Sequence, residues 1–119
     1  MNAIEAKAKQ WLINYGVPAE QIIHKRNKIY DFFTPLGAFE VKLINETTFK
    51  TTIKHIGLTP RQLSHNKEVN PTYLLFSKES ATPLYICKLK DIPSSIRIYT
   101  YRSGQIDRND PKYQPTENS

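Results

Sequence analysis

At 119 residues the chain has room for one domain around one hydrophobic core, and its 39% apolar and 24% charged residues are ordinary for a globular protein. No apolar run reaches the roughly 18 to 20 residues of a membrane-spanning helix, and one cysteine, Cys87, excludes an internal disulfide. Residues 1–102 hold 15 Lys and Arg against 8 Asp and Glu, a net +7, whereas residues 103–119 hold 2 against 3, a net −1. A basic body suits a polyanionic partner, because Lys and Arg that neutralise phosphates release condensed counterions. The polar stretch Met1–Lys9 lacks the apolar core of a signal peptide, so the expected location is intracellular, in the cytoplasm.

The first segment, Asn2–Tyr15, is predicted as an amphipathic helix. Ile4, Ala8, Trp11, Leu12 and Tyr15 recur at helical spacing, and Gly16 follows as a stop. Glu5 lies within about 20° of Leu12 in azimuth, on the inward side, where an acid needs a reason. Ile22–Lys28 reads as a polar strand whose cluster His24, Lys25, Arg26 and Lys28 is either a solvated edge or a phosphate contact. Ile29–Thr34 and Ala38–Ile44 are strands joined by a turn at Pro35-Leu36-Gly37.

Asn45–Thr48 has the composition of a turn, and Phe49, Ile53 and Ile56 fit either a short helix or a bent strand. Thr59-Pro60 opens a second helix, with Thr59 as N-cap, which runs to about Val69 and stops before Pro71. On it Arg61 and His65 share a face, and with Gln62 they form a second candidate contact for nucleic acid. Strands follow at Thr72–Phe76, Pro83–Leu89 and Ile92–Arg102, the last carrying Tyr99 and Tyr101 on one face. From Ser103 the composition is polar, and residues 103–119 are expected to be a disordered tail on a domain of residues 1–102. The expected fold class is α/β, a small mixed sheet flanked by helices.

The chemistry concentrates in IYDFFTPLGAFEVKL. Side chains two apart in a strand share a face, so Glu40 and Lys42 point one way and Phe39, Val41 and Leu43 the other. The turn folds Asp31 back beside Glu40. Two carboxylates and the Val41 carbonyl are the hard oxygen donors that Mg²⁺ or Mn²⁺ prefers. The bland alternative is an ordinary exposed Glu–Lys pair on a half-buried strand. The three histidines have no mutual ligand spacing, and no phosphate-cradling Gly motif is present.

The Asp31…Glu40-Val41-Lys42 pattern resembles the PD-(D/E)XK nuclease superfamily, which includes restriction enzymes and archaeal Holliday-junction resolvases. The resemblance implies a restriction-endonuclease-like fold and metal ligation by Asp31 and Glu40. It also implies a catalytic role for Lys42 and a further acid on the first helix, for which Glu5 is the natural residue. Tyr30 stands where the pattern has Pro, and Gln62 is followed four residues on by Asn66 rather than Tyr, which departs from the exonuclease-type members. The expectation is a metal-dependent endonuclease acting on DNA, with a homodimer by analogy. The alternatives are a non-catalytic nucleic-acid-binding module of the same fold and a basic protein-interaction domain.

Overall fold

The computed structural model describes residues 1–25, 30–48 and 52–101. Helix α1 spans Ala3–Tyr15. The Asn2 side chain accepts from the Glu5 backbone N–H at 2.8 Å, and the Glu5 carboxylate accepts from the Asn2 N–H at 3.0 Å. This reciprocal capping satisfies two donors that the first turn would leave open. Gly16 ends the helix at φ 122°, a conformation that side chains other than Gly rarely adopt.

Two short strands follow, β1 (Ile23–His24) and β2 (Phe32–Thr34), and then the long strand β3 (Gly37–Leu43). The turn between β2 and β3 is closed by Thr34, whose Oγ1 accepts from the Leu36 N–H at 3.0 Å and donates to the Gly37 carbonyl at 3.2 Å. Asn45–Thr48, expected to be a turn, is instead strand β4, paired antiparallel with β5 (Thr52–Leu58) from Asn45↔His55 to Thr48↔Thr52. A cross-strand partner overrides the turn composition of Asn-Glu-Thr-Thr. The same pairing makes Ile53 and Ile56 part of a strand, whereas Phe49 lies outside the described residues.

Helix α2 spans Pro60–Val69, capped by Thr59 and closed by Asn70 in the left-handed region. Strands β6 (Thr72–Phe76), β7 (Tyr85–Cys87) and β8 (Ile96–Thr100) complete the described chain, and the polar tail lies outside the described residues. β7 and β8 are shorter than expected, because a 3₁₀ turn at Leu89–Asp91 interrupts the run between them.

The strands form two sheets. One has the order β1-β2-β3-β6-β7 and is mixed, with β3 and β6 parallel and the other neighbours antiparallel. The other has the order β4-β5-β8, with β5 and β8 parallel. The chain passes from the first sheet to the second at Ile44, whose N–H donates to the Phe76 carbonyl at 2.8 Å. The fold is α/β, with these two mixed sheets and two helices.

Burial follows the two faces of the five-stranded sheet. On one face Phe32, Phe39, Val41, Leu74 and Phe76 pack with Ala8 and Leu12 of α1. On the other, Tyr73 and Leu75 pack with Ile44, Ile56, Leu58 and Ile96, with Leu63 of α2 against them. Each fully buried aliphatic or aromatic side chain stabilises the fold by roughly 1.5–3 kcal/mol. Tyr99 is buried and Tyr101 half-buried, so the Tyr99 face of β8 is core. Cys87 is half-buried rather than fully enclosed. Among the described residues no helix is long and apolar enough to cross a membrane.

Candidate functional site

β3 is the strand that organises the site. In the parallel register with β6, Glu40 lies beside Tyr73 and Lys42 beside Leu75, while Phe39 and Val41 lie beside Thr72 and Leu74. Alternation therefore sends Phe39 and Val41 under α1, and Glu40 and Lys42 toward α2 and the second sheet. Both faces are covered. Glu40 is 3% exposed and Lys42 6% exposed, which overturns the alternative of an ordinary solvent-facing pair.

Asp31 stands just before β2, where that strand separates from β3. Its backbone N–H donates to the Phe39 carbonyl at 2.9 Å, and its carbonyl accepts from the Lys25 N–H at 2.8 Å. Its Oδ2 accepts from the Val41 N–H at 2.7 Å. The carboxylate thus occupies the ladder position that the next residue of β2 would have filled. Because a residue's N–H and C=O point to the same side of a strand, the Val41 carbonyl faces this gap too.

The Asp31 carboxyl lies close enough to Glu40 and to Glu5 of α1 for each to influence its ionisation. Glu5 in turn lies 3.5 Å from His24 Nε2. The structure therefore brings Glu5, Asp31 and Glu40 together in a row, with Lys42 beside the deep end and His24 at the shallow end. Burial holds the Glu40 carboxyl well above its ordinary range; the neighbouring Asp31 adds to this, and Lys42 partly opposes it. Asp31 is also raised, chiefly by burial, against the Val41 N–H and the neighbouring Glu40. For Glu5, burial pushes up, but the Asn2 N–H, the Asp31 side chain and His24 together bring the carboxyl below its ordinary value.

Lys42 Nζ donates to Gln62 Oε1 at 3.2 Å, and the same oxygen accepts from the Thr59 N–H at 3.0 Å. Gln62, expected as a nucleic-acid contact, is thus engaged inward, with Lys42 and the cap of α2. Arg61 is exposed on the first turn of α2. His65 is half-buried, and its Nδ1 has no hydrogen-bond partner among the described residues. Lys25 is half-buried next to the Asp31 backbone, whereas Arg26 and Lys28 lie outside the described residues.

Two neighbours of the site escaped the sequence reading. Tyr73, within the apolar run TYLLF, is 1% exposed and donates from its hydroxyl to Asn66 Oδ1 at 3.0 Å. Burial raises its phenol, and the charges of Glu40 and Asp31 raise it further. No sequence signal pairs Tyr73 with Glu40, because the partner across a parallel register is a tertiary property.

Among the described residues no three His, Cys, Asp or Glu side chains form a ready-made ligand cage. What the site offers is two neighbouring carboxylates, a backbone carbonyl at the same gap and a third carboxylate one step out. That set suits a hard cation that keeps several waters, as Mg²⁺ does when held by one or two carboxylates. No family model, curated protein or solved structure matches this chain.

Proposed function

We propose that the protein is a metal-dependent phosphodiesterase, an endonuclease acting on DNA in the manner of the PD-(D/E)XK superfamily. One observation carries the reading. Glu40 is buried against a second carboxylate, next to a buried lysine, and each of these costs free energy that an apolar strand would avoid. Carboxylates persist in such a place when a cation is meant to neutralise them.

Asp31 and Glu40 would hold Mg²⁺ or Mn²⁺ with the Val41 carbonyl, and Glu5 would serve as the outer acid. When bound, such an ion would supply Lewis acidity toward the phosphoryl group and favour ionisation of the attacking water. Lys42, held by Gln62, presents an ammonium toward the charge that develops on the phosphate. Arg61 and His65, with Lys25, Arg26 and Lys28, would neutralise backbone phosphates on either side, and a second copy of the chain would serve the opposite strand.

The test is a cleavage assay on plasmid and branched DNA in Mg²⁺, Mn²⁺ and EDTA, with a binding titration at two salt concentrations. The wild-type protein is expected to cut in Mn²⁺ and to stop in EDTA. Asp31→Ala and Glu40→Ala should abolish cutting while DNA binding survives or tightens, because each removes a negative charge from a basic body. Lys42→Ala should stop cutting and weaken binding slightly. Undiminished cutting by both carboxylate variants would place the chemistry elsewhere. Steeply salt-dependent binding without cutting would make the protein a binding module. If neither occurs, the protein-interaction domain is the better reading.

A further inference from the structure

Tyr73 brings the phenol nearest in register to the proposed ligand Glu40. The two residues are direct partners across β3 and β6, their side chains rise on the same face, and neighbouring strands lie only about 4.8 Å apart. A buried phenol has one proton to give. The obvious recipient on this face is a carboxylate, yet the hydroxyl donates instead to Asn66 Oδ1, reached from α2 at 3.0 Å. Asn66 lies one turn beyond Gln62, which holds Lys42 in the same way. Two side chains of one helix thus hold the two polar groups that flank Glu40.

We propose that Asn66 is a positioning residue that withholds the Tyr73 phenol proton from Glu40, leaving the Glu40 carboxylate free to bind a divalent cation. The proposal rests on the metal-site reading above. A carboxylate that accepts a hydrogen bond from a neighbouring phenol has less charge to offer a cation, and the ion must displace that bond to enter. With its acceptor gone, the phenol has every electrostatic reason to turn to Glu40 or Asp31, whose charges already reach it. Tyr73 would then compete with the metal. No proton leaves Tyr73 at any point; only the direction of its O–H changes.

This arrangement has a signature that a plain packing role lacks. Asn66→Leu, which keeps the bulk and removes the acceptor, should weaken Mn²⁺ binding by about tenfold or more, the effect of one hydrogen bond to a charged group. Tyr73→Phe should leave Mn²⁺ affinity within about twofold of wild type, since in the native arrangement the hydroxyl does not touch the ion. Combining the two should restore the affinity lost in Asn66→Leu, because no proton remains to compete. The measurement is Mn²⁺ titration by calorimetry on the full chain, with thermal unfolding of each variant to establish folding. Asn66→Ala serves as a second acceptor-free variant should the leucine not fit.

Wild-type affinity in both acceptor-free variants would overturn the proposal while leaving the metal site intact. Losses that add in the double variant would also overturn it, since a structural role predicts addition and this one predicts rescue. Absence of Mn²⁺ binding by the wild-type protein would instead remove the metal-site reading, and this inference with it.

Discussion

The two faces of β3 are both buried and do opposite things. The Phe39 and Val41 face packs under α1 with Phe32, Leu74 and Phe76, an apolar layer that contributes stability through area removed from water. The Glu40 and Lys42 face is equally enclosed, yet it carries two ionisable groups, a second carboxylate beside Glu40, and a phenol and an amide in attendance. Apolar substitutes of the same shape would leave the fold equally stable or more so. Burial alone therefore does not identify a core. One face of this strand holds the sheet together, and the other is kept polar at the expense of stability.

The comparison breaks first on its apolar side. Phe32 is fully buried between β2 and α1, and Phe32→Ala should destabilise the protein by about 3–5 kcal/mol, read as a fall in the midpoint of chemical denaturation. A loss below about 1 kcal/mol would mean that the α1 face is not the main core.

The polar side should respond in the opposite direction. Glu40→Gln removes a carboxyl that burial makes hard to ionise, so the variant should be more stable than wild type at pH 7 without divalent ions. The sign follows from proton counting. Between the ordinary carboxylate range, about pH 4, and the raised value of Glu40 in the folded state, the native protein holds more protons than the unfolded chain. Its stability therefore falls as pH rises through that window, and the advantage of Glu40→Gln should appear there and vanish near pH 4. Asp31 contributes with the same sign and Glu5 with the opposite one. Added Mn²⁺ should restore wild-type stability at pH 7 and do little for the variant. Parallel stability curves from pH 4 to 8 would show that Glu40 ionises as freely as a surface group.

The smallest expected effect concerns the frame around the polar face. Thr59 caps α2 and its N–H shares Gln62 Oε1 with Lys42, so Thr59→Ala should cost about 1 kcal/mol of stability. Its backbone N–H persists in the variant, so the hold of Gln62 on Lys42, and with it Mn²⁺ affinity, should be unchanged. A fall in affinity as large as that in Asn66→Leu would show that the cap itself, and not the inward side chains of α2, sets the site.

Much of this was legible in the residues. Gly16, Thr59 with Pro60, and Pro71 mark helix ends within a residue or two, because such signals are local chemistry that needs no tertiary partner. The hairpin at Pro35 to Gly37 and the strand TYLLF are local in the same sense, and strand parity put Glu40 and Lys42 on one face. Asn45–Thr48 went the other way, since its composition suits a turn and only β5 makes it a strand.

The sequence by itself thus determined which side chains share a face and where the helices begin and end. It did not determine what covers each face. Only the tertiary structure decided that α2 and a second sheet close over Glu40 and Lys42, that Asp31 fills the gap in the ladder at Val41, and that Tyr73 stands beside Glu40 with its proton held by Asn66. The reason is physical: a period of two records direction relative to the neighbouring residues, whereas burial, register and pKa depend on chain segments about 10 to 35 residues away.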